Sequence, residues 1–247
     1  MPLVVLDDGH GLETAGKRTP VLPDGTVMRE NEFNRRVVQL LAANLMRCGF
    51  DVLLVAPGDN DVPLRVRTDT ANKAKADLYV SVHANAAGKG GFNAARGLET
   101  FYFKGSVASE RAARMLHKRL LSGSVLPDRG VKTADFHVLR ETNMPSVLVE
   151  CAFMTNLQEA LLLVSEDYRV ECADELARGI CDYFNKSFVP KGGGIVVDNN
   201  EKMSQEDAEK VIRFLSAGYM AITPKDGRDE FRRLANEVRK AAGMPTQ

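Results

Sequence analysis

The 247-residue chain is short of several things, and each shortage excludes a class of protein. It has no excess of either charge: 33 Lys and Arg balance 33 Asp and Glu. A protein that grips nucleic acid through its phosphates carries a basic footprint, so no nucleic-acid partner is expected, whereas a polysaccharide partner stays open. No stretch approaches the ~20 apolar residues of a membrane-spanning helix, which argues against membrane insertion. The N-terminus has no basic stretch and no secretory hydrophobic segment, residues 3–6 being too short for one. The expectation is synthesis in the cytoplasm without a signal peptide. If the chain acts outside, it leaves by another route. The four cysteines, Cys48, Cys151, Cys172 and Cys181, form no C-x-x-C pair. A cysteine zinc site and a disulfide framework are therefore both unexpected, and the thiols read as reduced and mostly buried. There is no internal repeat. Histidine is scarce, with four in all, which makes the position of each one informative.

What is present is an ordinary soluble balance, 44% hydrophobic and 27% charged, and a length sufficient for one substantial core with a small appendage. Residues 77–86 read D-L-Y-V-S-V-H-A-N-A. Leu78, Tyr79, Val80 and Val82 suit a buried strand, and it runs into His83. Taken singly, His83 reads most simply as a core histidine bonded to backbone. A second strand does the same thing, however: residues 3–6 (L-V-V-L) run into Asp7, Asp8, Gly9 and His10. Open α/β sheets place ligands beyond the carboxyl ends of their strands.

After His10 comes a long polar loop, residues 11–29, with a P-D-G turn at 23–25. A helix then opens at Arg29-Glu30-Asn31-Glu32, and Val37, Leu40, Leu41, Asn44 and Leu45 mark one face of it. Acidic residues in a first turn commonly do no more than favour the helix dipole. Residues 50–55 form a strand, 62–76 a helix, 98–103 a strand carrying Glu99, and 106–121 a helix whose His117 is expected to face solvent. A short strand is expected at 135–139, containing His137. The apolar run 146–149 terminates in Glu150, and helices follow at 157–164 and 167–184. Strands alternating with helices indicate an α/β fold: an open, mostly parallel sheet flanked by helices.

Parallel strands end on one edge, so His10, His83 and Glu150 can converge there with a glutamate from the first helix. Two imidazoles and one carboxylate make a catalytic zinc set that leaves a position open, and a further carboxylate can serve as general base. Either Glu30 or Glu32 could come from the helix.

These residues lie in longer motifs: D-x-G-H-G after the first strand, E-x-E-x-N opening the first helix, S-V-H-A-N, G-L-E-T-F-Y-F, and V-L-R-E-T-N-M-P-S-V-L-V-E-C-A-F-M-T-N. Together, over about residues 1–188, they resemble the zinc-dependent N-acetylmuramoyl-L-alanine amidases of bacterial autolysins and phage endolysins. The resemblance implies that His10, Glu30 and His83 bind one Zn2+ and that Glu150 is the catalytic carboxylate. It also implies cleavage of the amide joining N-acetylmuramic acid to the stem peptide's L-alanine, with peptidoglycan as the partner. Its register favours Glu30 over Glu32. Two positions depart from the family pattern: Asp8 stands where Pro is usual, and Cys151 where Gly is usual. Cys151 has no neighbour in sequence placed to activate it as a nucleophile. Asn85 and the loops 11–29 and 87–97 are expected to line the substrate groove. Glu99 and Glu141 read as structural or substrate-side. Two rivals stay open, a zinc peptidase acting within wall peptides and a non-catalytic peptidoglycan-binding module.

The C-terminal part differs. Residues 189–200 contain Lys191-Gly192-Gly193-Gly194 and read as a linker. Residues 201–247 read as a small helical domain. Ser204-Gln205-Glu206-Asp207 opens one helix with Val211, Ile212 and Leu215, and a second carries Phe231, Leu234, Ala235 and Val238. Wall targeting, self-association and simple docking on the catalytic domain are all compatible with that pattern.

Overall fold

Period-two alternation in two central strands organises the molecule. The computed structural model describes residues 1–191, together with 205, 208–209, 235–236, 238–239 and 242–245. Its strands are β1 (Leu3–Asp7), β2 (Asp51–Leu54), β3 (Leu78–Asn85), β4 (Leu98–Tyr102), β5 (Asp128–Thr133) and β6 (Ser146–Phe153). The helices are α1 (Glu30–Arg47), α2 (Leu64–Ala74), α3 (Val107–Gly123), α4 (His137–Arg140), α5 (Leu157–Val164) and α6 (Glu166–Tyr183). The six strands form one sheet in the order β2-β1-β3-β6-β4-β5. Neighbours run parallel except β4 against β6, so β4 and β5 reverse direction as a pair.

Successive side chains on a strand point to opposite faces. On one face Val4, Leu6, Leu78, Val80, Val82, Val147 and Val149 join the large core built with α1, α3 and α6. Each fully buried aliphatic side chain there contributes about 1.5–3 kcal/mol, so this face supplies most of the stabilisation. The other face carries Val5, Tyr79 and Leu148 against a thin cover, Ala71 of α2 with Val138 and Leu139 of α4. Further along the same strands that second face turns polar: Asp7 follows Val5, Ser81 and His83 follow Tyr79, and Glu150 follows Leu148.

Four local expectations change. β3 and β6 do not stop at His83 and Glu150 but continue to Asn85 and Phe153. Ala84, Cys151 and Ala152 keep the core side apolar past the polar residues, so pairing goes on. Residues 135–139 are not a strand; His137–Arg140 is a short helix. The true edge strand, β5, has the sequence D-R-G-V-K-T, which lacks an alternating apolar pattern. His117 is buried, not solvent-facing: Nδ1 lies 3.0 Å from Thr100 Oγ1 and Nε2 2.9 Å from Asp128 Oδ1. All four cysteines are free and buried.

The chain divides into two compact units, Met1–Gly193 and Gly194–Gln247. In the second, the described positions 205, 208–209, 235–236 and 238–239 are helical. The expected linker beyond residue 191 and the remainder of the two C-terminal helices lie outside the described residues.

Candidate active site

Each polar group is brought to this end of the sheet by its own element. β1 ends at Asp7 and the chain turns through Gly9 (φ +46°) and His10 (φ +49°), both left-handed. A non-glycine residue there costs about 1–3 kcal/mol and persists only where surroundings impose it. Asn31 of α1 imposes it: its amide nitrogen donates to the carbonyls of Asp8, Gly9 and His10 at 3.3, 3.0 and 2.9 Å. Position 9 must also be glycine for space, since a Cβ there would sit 2.4 Å from the His83 ring.

The two imidazoles meet edge to face, centroids 5.0 Å apart. Glu30, in the first turn of α1 and 2% exposed, reaches both. Its Oε1 is 2.9 Å from His83 Nδ1 and its Oε2 3.6 Å from His10 Nε2. Asn34, one turn along α1, and the Ala84 amide also donate to Oε1, at 3.4 and 3.3 Å, and Lys17 Nζ stands 3.8 Å from Oε2. Ligand atoms of His10, Glu30 and His83 all lie within 4.8 Å of one another. Glu32, the alternative to Glu30, is exposed; its carboxylate accepts from the Arg29 amide at 2.7 Å and so caps the start of the helix.

Glu150 stands level with His83 in the β3–β6 pairing. Its Oε2 is buried without a hydrogen-bond partner. Burial raises the Glu150 carboxyl to about 8; His83 and Lys17 pull it down, while Glu30 and Glu99 push it up. For Glu30 burial acts upward too, but the hydrogen bond and charge of His83, then His10 and Lys17, outweigh it and bring the carboxyl to about 2. Burial takes His10 down to about 4.

This donor set fits a divalent ion. Two imidazoles and a carboxylate are the ligands zinc accepts, and the unpartnered Glu150 oxygen lies in the same group of side chains. These groups lie at one side of a cleft of about 610 Å³, lined by Lys17, Arg67, His137 and an apolar wall of Val62, Leu64 and Phe136.

On the far side of Glu150 is Glu99, its register partner on β4. Glu99 accepts from Lys132, from Asn85 and, at 3.2 Å, from Arg129. Burial would raise it, but Lys132 and Arg129 hold it below the usual carboxylate range. Asn85 is anchored by one bond at each amide atom: Nδ2 donates to Glu99 and Oδ1 accepts from the Ala86 amide at 2.8 Å. Asn85 does not line the cleft, and neither does loop 87–97; the opposite wall comes from residues 61–64 and 135–138. Glu141 is exposed and paired with Arg140 at 2.8 Å. Cys151 points into the core, where its contact with Cys172 and its burial hold the thiol well above its ordinary range. It is no nucleophile. Asp8 is buried, and burial together with neighbouring Asp7 raises its carboxyl to about 6.

The family model described as N-acetylmuramoyl-L-alanine amidase matches residues 4–182. The chain belongs to that family. An endolysin of Bacillus phage SPP1 is 35% identical to this family member over 219 residues, 85% of this chain and 75% of the endolysin. The N-acetylmuramoyl-L-alanine amidase LytC of Bacillus subtilis is 33% identical over 183 residues, 73% of this chain but 35% of LytC. Among solved structures, the catalytic domain of the amidase CwlV from Paenibacillus polymyxa superposes with a TM-score of 0.68 at 33% identity. That match covers 76% of this chain and all of the CwlV domain (100%).

Around the four expected residues, this amidase-family site holds others that the sequence did not single out. Asp7, Ser81 and Arg67 are buried beside His83, and Lys17 reaches Glu30 from the polar loop. The alternation Tyr79, Ser81, His83 carried the signal for Ser81. Nothing in the sequence marked Lys17 or Arg67.

Proposed function

We propose that the chain is a zinc-dependent peptidoglycan hydrolase that cleaves the amide between N-acetylmuramic acid and the L-alanine of the stem peptide. The observation that carries this reading is the meeting of His10, Glu30 and His83 with an unpartnered Glu150 oxygen beside one cleft. His10, Glu30 and His83 would hold the ion. When bound, zinc supplies Lewis acidity, polarising the scissile carbonyl and lowering the pKa of water to about 7.

The chain's own groups do the rest. Glu150 takes the proton of the attacking water and passes it to the nitrogen of the departing L-alanine. Burial raises this carboxyl in the metal-free chain and a bound cation would lower it again, opposing effects that suit a group that must take up and give back a proton. The apolar wall of Val62, Leu64 and Phe136 excludes water from one side and offers contact area to a sugar or peptide. Asn85, paired with Glu99, would present its edge to substrate beyond Glu150.

Activity at the bacterial cell wall follows from the substrate. Among the described residues no helix is long and apolar enough to cross a membrane. Residues 1–188 would form the catalytic domain and 189–200 a linker. Residues 201–247 are our candidate for wall attachment or self-association, on their amphipathic pattern alone.

Digestion of purified peptidoglycan with and without chelator tests the activity. The expected products are lactyl-bearing glycan and peptides with a new N-terminal alanine, formed only with metal. New termini inside the peptides identify a zinc peptidase instead. Absence of any product, with walls still bound, identifies a binding module.

A further inference from the structure

Behind His83 lies a hydrogen-bonded chain that ends in a buried ion pair. Asp7 and Arg67 are each 1% exposed, and Arg67 Nη1 donates to Asp7 Oδ1 at 2.7 Å. The same Oδ1 accepts from the Gly9 amide at 3.2 Å. Oδ2 accepts from Tyr79 at 2.9 Å and from Ser81 at 2.8 Å. Ser81 Oγ in turn lies 3.0 Å from His83 Nε2.

The proton count along this chain fixes one ring nitrogen of His83. An ionised carboxylate only accepts, so the Ser81 hydroxyl hydrogen is spent on Asp7. Ser81 can therefore only accept from His83, and Nε2 must carry the hydrogen. Nδ1 then faces Glu30 Oε1 at 2.9 Å, a contact that a second ring proton satisfies in the metal-free chain. A divalent cation would take the place of that proton, meeting the Nδ1 lone pair and the carboxylate oxygen together. We infer that Ser81, backed by the Asp7–Arg67 pair, is a positioning residue that fixes the tautomer of His83 and aims Nδ1 at a divalent cation. Carboxylates that orient a metal-binding histidine usually do so directly; here a hydroxyl relays the effect. The inference rests on the reading of His10, Glu30 and His83 as the ion's ligands.

The geometry explains why three side chains converge on Asp7. Arg67 fixes one carboxylate oxygen and Tyr79 the other, so Ser81 meets an acceptor that cannot rotate away. Arg67 Nε also donates to the Val62 carbonyl at 2.7 Å, which ties the same pair to the cleft wall.

The test is zinc titration of the full chain against a competing chelator, for wild type, Ser81→Ala and Ser81→Thr. Ser81→Ala should weaken zinc binding about 10–100-fold and shift the visible absorption of the cobalt-loaded chain, with far-UV circular dichroism unchanged. Ser81→Thr, which restores the hydroxyl, should recover most of the affinity. Equal affinities and spectra in wild type and Ser81→Ala overturn the relay while leaving the ligand set standing. A wild type that takes up no zinc overturns the ligand set itself. Histidine 15N NMR of the zinc-loaded wild type gives an answer that needs no variant. The His83 signal should show a protonated Nε2, and an unprotonated Nε2 refutes the relay.

Discussion

His83 and Glu150 are register partners on adjacent parallel strands, so their side chains leave the same face of the sheet side by side. That pairing puts a metal-binding type of residue and a raised carboxyl within one pleat of each other without help from a loop. The division of labour it suggests can be tested one group at a time.

Glu150→Gln keeps size and removes the proposed base. It should leave zinc content at one ion per chain and lower turnover about 10²–10⁴-fold. His10→Ala and His83→Ala should instead lose the metal. Metal analysis alongside wall-lysis rates separates the two outcomes, and a Glu150→Gln protein with normal turnover removes the residue from the mechanism.

The same carboxyl predicts how the metal-free protein responds to pH. Its folded-state pKa, about 8, lies above the ordinary value near 4.3. A raised carboxyl contributes stability that is complete below the unfolded value and is lost as pH climbs through the folded one. Chelated wild type should therefore lose stability, relative to Glu150→Gln, between about pH 4.5 and 8, by a few kcal/mol in total. Thermal melts of both proteins from pH 5 to 9 provide the check. A gap that stays constant over that range means that Glu150 ionises normally.

Gly9→Ala should be costly although it adds one methyl group. The new Cβ would lie 2.4 Å from the His83 ring, on a backbone at φ +46°. Destabilisation of about 1–3 kcal/mol is expected from the overpacking alone, together with weaker zinc binding as the ring moves. Denaturant unfolding and chelator competition measure the two effects separately.

Arg67→Met should leave the Asp7 anion buried and unpaired, at about 3–5 kcal/mol. Combining it with Asp7→Asn removes the stranded charge and should recover much of that loss. Urea unfolding of the two single variants and the double variant measures the coupling. Additive losses would mean that the 2.7 Å contact contributes nothing of its own.

Much of this architecture could be read from residue order. Apolar strands running into His10, His83 and Glu150 announced both the sheet and the convergence, because a histidine or carboxylate interrupting such a run needs a partner. Strand ends were harder. Polar residues looked like terminators in the chain, yet Ala84 and Cys151 show pairing continuing behind them, since only one face had changed character. β5 escaped notice because an edge strand that buries little has no apolar rhythm to display. His117 was misjudged because Arg114, Lys118 and Arg119 flank it on α3, while its own partners, Thr100 and Asp128, come from other elements. Arg67 and Lys17 illustrate the general limit: their roles depend on distant charges, and no local pattern encodes those.

The unequal cover on the two sides of the sheet also bears on how such a chain can change over generations. Three long helices press on one side, and an alteration there disturbs the entire fold. The cleft borders the other side, where its wall is a short helix, the start of another and a few connecting residues. Substitutions at Leu64 or Phe136 can therefore reshape what the cleft admits while the main core, on the opposite side of the backbone, registers little of the change.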